Sequence, residues 1–84
     1  MKQNVSKLIL PMQTIAVNSE AINTAEYEYD KYRLRLEFHG GQKYDYARVP
    51  NHVFEGLRTS TSKGTFINRY ILQQYPFKKV GVND

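Results

Sequence analysis

Cysteine is absent from all 84 residues, which excludes a disulfide framework and any thiolate metal site and suits a reducing cytoplasm. Histidine occurs only as His39 and His52, too isolated to expect a metal centre; one reads as a turn residue and the other as a helix-surface residue. No apolar run approaches the roughly 18 residues that cross a bilayer, so no membrane partner is expected. Met1-Lys2 ahead of Leu8-Ile9-Leu10 resembles a leader only faintly. Pro11 and Gln13 interrupt the run and no small-residue cleavage site follows, so no signal peptide is expected. The sequon Asn4-Val5-Ser6 therefore carries no weight. The acids form no obvious pair for general acid–base chemistry, and no serine, histidine and acid set suggests itself. Lys63-Gly64-Thr65 is not a Walker A motif, because the leading glycine is missing and the order is reversed. The expectation is a protein without catalysis, cofactor or metal.

What is present is one small domain, near the lower size limit for a chain with its own core. Seven tyrosines and four phenylalanines supply much of the area to be buried, at roughly 150–250 Å² each. Charge is unevenly placed. Residues 1–46 hold six Lys/Arg and six Asp/Glu, whereas residues 47–84 hold six Lys/Arg against Glu55 and Asp84, so the second half carries the whole net charge of +4. That excess suits a few phosphates and is thin for tracking long nucleic acid. No internal repeat or low-complexity tract is present.

Period-two alternation marks the strands. Tyr32, Leu34, Leu36 and Phe38 alternate with Arg33, Arg35 and Glu37, and upstream Asn23, Ala25, Tyr27 and Tyr29 alternate with Thr24, Glu26 and Glu28. A tight turn at Asp30-Lys31 pairs Tyr27 with Leu34 and Ala25 with Leu36. It also sets Glu28 opposite Arg33 and Glu26 opposite Arg35, two favourable pairs on the outer face. A two-residue turn at Gly40-Gly41 would put Asp45 and Lys43 on the apolar side. A three-residue loop brings Tyr44 and Tyr46 beside Leu36 and Phe38 instead, and is the expected register.

Pro50 suits a first helical position, and Val53, Phe54 and Leu57 follow at helical spacing, with Gly56 a blemish. Thr59-Ser60-Thr61-Ser62 ends that helix and offers a cap for the next, whose face is Phe66, Ile67, Tyr70 and Ile71. Tyr75-Pro76-Phe77 is expected to pin the C-terminal segment to the core, with Lys78-Lys79 a solvated tail. The fold class is α+β: a three-stranded antiparallel meander with two short helices on one face. Residues 1–16 form an arm or an extra strand, 17–80 the domain, and 81–84 a tail.

The strongest site candidates surround the second helix. With Ser62 as its cap, the free N–H groups of Lys63, Gly64 and Thr65 make an anion site. Gly64 would let a ligand approach the backbone, Arg69 would clamp a phosphate, and Asn68 would read a base edge or brace the loop. The structural reading of the same residues is a capping motif with Arg69 paired to Glu55 or Asp45. Tyr44 and Tyr46 are candidates for stacking a base or for core packing, and Arg48 for facing the same pocket.

From Val17 to Val80 the chain resembles the KTSC family, a small domain found at the C-terminus of some lysyl-tRNA synthetases and also alone. The resemblance rests on Asn18-Ser19-Glu20-Ala21-Ile22, the strand Tyr32–Phe38, Tyr44-Asp45-Tyr46, Val49-Pro50, Ser62-Lys63-Gly64, Phe66, Asn68-Arg69 and Tyr75-Pro76-Phe77. It implies an α+β domain with RNA binding suggested. Three functions are thus in play: capture of a small nucleotide, including a cyclic (di)nucleotide signal sequestered by a viral anti-defence protein in a bacterial host cytoplasm; binding of short RNA; or a structural role. Two sheet edges and a small core also predict self-association as a homodimer or higher oligomer.

Overall fold

The alternation read from the sequence becomes the centre of a five-stranded antiparallel sheet in a computed structural model, which describes residues 12–81. Leu8-Ile9-Leu10 and most of the 81–84 tail lie outside the described residues. The elements run β1 (Met12–Ala16), β2 (Ile22–Glu28), β3 (Arg33–Phe38), β4 (Lys43–Tyr46), α1 (Asn51–Thr59), α2 (Lys63–Tyr70) and β5 (Phe77–Lys79), and the strands lie in the sheet in chain order. The class is the expected α+β; the meander is extended by β1 at one edge and β5 at the other.

In the β2–β3 hairpin Ala25 faces Leu36 and Tyr27 faces Leu34, with Glu26 opposite Arg35 and Glu28 opposite Arg33. A register shift between Ile22 and Thr24 alters the upstream end. It brings Ile22 rather than Asn23 to the core, because one extra residue in a strand reverses which side chains face inward. Between β3 and β4 the loop is His39, Gly40 and Gly41: Phe38 N–H donates to Gln42 O at 2.8 Å, and both glycines have positive φ (102° and 94°). Leu36 therefore meets Tyr44 and Leu34 meets Tyr46.

Both helices cover the inner face. Phe54 and Leu57 of α1 and Ile67 of α2 are buried against Ala25, Tyr27, Leu34 and Leu36, with Ile71 just beyond α2. The Phe54 ring stacks on Tyr27 with centroids 4.7 Å apart. Each such side chain contributes about 1.5–3 kcal/mol by leaving water. Pro50 is the cap of α1 rather than its expected first helical residue, which is Asn51, and at the cap its fixed φ (−65°) costs nothing. Ser62 caps α2 by position, but its hydroxyl donates to the Thr65 hydroxyl (2.9 Å) instead of accepting from a backbone N–H.

The C-terminal segment is not a solvated tail. Tyr46 faces Phe77 and Asp45 faces Lys78, and bonds from Ala47 N–H to Pro76 O (2.9 Å) and Val80 N–H to Lys43 O (2.9 Å) flank the short pairing. No helix among the described residues is long and apolar enough to cross a membrane.

Candidate functional site

Strand β4 ends at Tyr46, and the chain then turns through Ala47 and Arg48 to reach Pro50. Arg48 makes that turn with a left-handed backbone (φ 58°), uncommon outside glycine and asparagine. Across from it β5 begins, and the β2–β3 turn closes the third side. The result is an open cleft of about 420 Å³ walled by Lys31, Arg33, Arg48 and Lys78, with Asp45 at its base. Its apolar wall is Tyr46 stacked on Phe77, centroids 5.3 Å apart and planes 30° apart. Phe77 is 56% exposed, so one ring of that stack remains open to solvent.

The charges in the cleft are not equivalent. Asp45 is only 7% exposed and is held by Arg35, from Nε to Oδ1 at 2.7 Å and from Nη2 to Oδ2 at 3.0 Å. Arg35 hydrogen bonding is the main cause that holds the Asp45 carboxyl below its ordinary range. Burial opposes the shift, and the charges of Arg35, Arg33 and Lys78 add to it. Arg33 pairs with Glu28 and comes within 4.0 Å of Asp45. Among the described residues Lys31, Arg48 and Lys78 make no ion pair within 4.0 Å, and Lys78 acts on Asp45 only at longer range. An ionised, fully bonded Asp45 is a poor proton acceptor at neutral pH. The cleft is therefore equipped to hold an anion beside a flat ring.

The residues expected to form one site divide into two groups. Tyr46 and Arg48 line the cleft. Ser62, Lys63, Gly64, Thr65 and Asn68 line a different cavity of about 460 Å³, whose far wall is the β1–β2 turn at Asn18, Ser19 and Glu20. Tyr44 belongs to neither; its ring sits between Phe38 (5.6 Å) and Phe77 (5.7 Å). The expected convergence of Lys63 and Arg69 does not occur. Six positions along a helix leave two side chains about 120° apart, and the exposed Arg69 lines neither cavity. Lys63 instead donates from Nζ to Ser60 O at 3.0 Å. The space in front of Gly64 is also taken. A Cβ there would lie 2.7 Å from Ser19 Cβ, so the glycine admits a neighbouring turn of its own chain rather than a ligand. Neither Glu55 nor Asp45 pairs with Arg69: Glu55 takes Arg58, and Asp45 takes Arg35.

Sequence reasoning missed Lys31, Arg33, Phe77 and Lys78. The available signal was Phe77 followed by Lys78-Lys79, an aromatic and two cations that a strand would present together. Three residues are too few for alternation to declare that strand. Among the described residues, no cluster of three or more histidine or acidic side chains is placed to hold a metal ion.

Known proteins resemble this chain across most of its length. The KTSC domain family matches residues 18–75, a span that holds both the Ser19 turn and Gly64 and stops just short of Phe77. A protein of Tsukamurella paurometabola is 37% identical over 59 residues, covering 70% of this chain and 88% of that protein. A lysine–tRNA ligase of Nostoc punctiforme is 28% identical over 72 residues, which cover 86% of this chain but only 13% of the ligase. The crystal structure of a KTSC domain protein from Yersinia pestis superposes with a TM-score of 0.74 at 30% identity, covering 83% of this chain and 99% of that one.

Proposed function

The chain belongs to the KTSC domain family, and on that footing we propose that it is a non-enzymatic domain that captures a nucleotide in the cleft between Arg48 and Lys78. The observation that carries this reading is the juxtaposition of three cations outside any ion pair within 4.0 Å among the described residues, Lys31, Arg48 and Lys78, with the open ring of Phe77. Arg48 offers a planar fork for a phosphate and the lysines add charge. A base laid on Phe77 gains roughly 1–3 kcal/mol from stacking. A cyclic dinucleotide supplies both chemistries twice, and sequestering such a signal would require affinity alone.

Short RNA is the second reading, and one feature favours it. Lys43 and Lys79 flank another cavity of about 460 Å³ at the far end of β5, beside Gly40 and Gly41, so cations continue along that edge. The Nostoc relative is named as a lysine–tRNA ligase, which fits the same reading.

Titration with adenosine 5′-monophosphate, a cyclic dinucleotide and a hexanucleotide RNA at several salt concentrations decides between them. Single-stranded RNA crossing several phosphates should lose affinity with a slope of about −0.7 per contact, against about −1 to −2 in total for a small nucleotide. Absence of binding to all three, or binding indifferent to Lys78→Ala and Phe77→Ala, would remove the reading.

A further inference from the structure

The ring of Tyr27 is fully buried against Phe54, where phenylalanine would fill the same space. Its hydroxyl is the part that needs a reason. It donates to Val49 O at 2.6 Å and accepts from Asn51 Nδ2 at 2.7 Å. Val49 N–H in turn donates to Tyr32 O at 2.8 Å, so both backbone groups of Val49 are tied. On the other side of Arg48, Ala47 N–H is tied to Pro76 O at 2.9 Å. Arg48 thus sits at φ 58° between two anchored neighbours, and the anchors come from β2, from the β2–β3 turn and from the approach to β5. A left-handed arginine persists only where its surroundings over-determine it.

We propose that Tyr27 is a positioning residue of the cleft: its hydroxyl, acting through the Val49 carbonyl, holds Arg48 in the left-handed conformation that presents its guanidinium to the ligand. This rests on the nucleotide-binding reading for its functional consequence, but not for its geometry. A hydroxyl that merely satisfied the buried Val49 carbonyl would affect stability and leave the Arg48 backbone unchanged.

Two measurements separate these roles. In the ligand-free protein, the amide–Hα coupling and Cα shift of Arg48 report its backbone by NMR. Tyr27→Phe is expected to move both toward a conformational average, whereas a folded variant with wild-type values overturns the proposal. With adenosine 5′-monophosphate as the probe, Tyr27→Phe is expected to weaken binding about tenfold, with the loss vanishing in an Arg48→Ala background because the two act through one contact. An equal loss in that background also overturns it. Should Tyr27→Phe not fold, Asn51→Ala keeps the hydroxyl, removes the amide that orients it, and should shift both readouts in the same direction. A wild-type protein that ignores the probe defeats the nucleotide reading, while the Arg48 backbone measurement still decides the positioning role.

Discussion

Arg35 grips Asp45 across the β3–β4 pairing with both oxygens engaged, at 2.7 and 3.0 Å, although Glu26 stands directly opposite it on the other neighbouring strand. A central strand has two flanks, and the more buried acid wins because its need for a partner is greater. Glu26 acts on Arg35 only at longer range.

Asp45 should therefore govern the acid limb of stability. Its carboxyl is held below its ordinary value of 3.8, chiefly by hydrogen bonds from Arg35. A depressed folded value means that the contribution is fully present above the unfolded value and fades as pH falls through the folded one. Asp45→Asn should cost roughly 1.5–3 kcal/mol between pH 5 and 8. The gap to wild type should begin to narrow below about pH 4 and close only as pH falls through the lower folded value. Urea melts across that range check this. The same substitution removes a negative charge from the base of the cleft, so nucleotide binding should tighten by about threefold even as the fold weakens. A variant that loses stability and affinity together would count against the cleft as an anion site.

Gly64 gives a prediction whose sign is diagnostic. On an exposed helix, alanine in place of glycine stabilises by about 1 kcal/mol. Here the new Cβ would meet Ser19 Cβ at 2.7 Å, and Ser19 cannot retreat easily: Ile22 N–H donates to its hydroxyl (3.0 Å), and His39 Nε2 contacts its carbonyl oxygen (2.8 Å). Gly64→Ala should lower stability by roughly 1–3 kcal/mol instead. Thermal unfolding of the pair suffices as the check.

How far the sequence could be read follows from how local each signal is. The β2–β3 register was legible because Glu28 and Arg33 mark it from outside while Tyr27 and Leu34 mark it from inside. The loop at Gly40 was legible because the alternative put Asp45 on the apolar side. Gly56, a blemish in the helical pattern, is where the Phe66 ring passes, at 2.8 Å from a would-be Cβ; only packing between α1 and α2 reveals that. The cleft was the least legible part. Its walls come from residues near 31, 46 and 77, brought together by the β4–β5 pairing, and no local pattern announces a partner some thirty residues away. Arg69 misled for the related reason that nearness in sequence is not nearness on a helix.

Phe77 and Arg69 can be tested against each other. Phe77→Ala should weaken nucleotide binding by roughly tenfold or more through lost stacking. Phe77→Leu, which keeps an apolar contact on Tyr46, should show the same loss with less effect on melting. Arg69→Ala should leave both affinity and stability within about 0.5 kcal/mol of wild type. Calorimetry with adenosine 5′-monophosphate, paired with a denaturant melt for each variant, reads all three. Equal losses from Arg69→Ala and Phe77→Ala would return the site to the start of α2.

Arg48 separates conformational cost from charge. At φ 58° a residue with a Cβ costs about 1–2 kcal/mol relative to its preferred regions, and glycine avoids most of that. Arg48→Gly and Arg48→Ala both remove the guanidinium, so both should weaken nucleotide binding to the same degree. Their stabilities should differ: Arg48→Gly should exceed Arg48→Ala by about 1 kcal/mol, because only glycine relieves the left-handed backbone. Arg48→Lys keeps charge and Cβ but not the planar fork, and should recover part of the affinity with none of the stability. Urea midpoints and binding isotherms for the three variants give the two quantities independently. Were the glycine and alanine variants equally stable, the left-handed conformation would not be costly in solution, and Arg48 would be an ordinary surface cation rather than one held in place for a ligand.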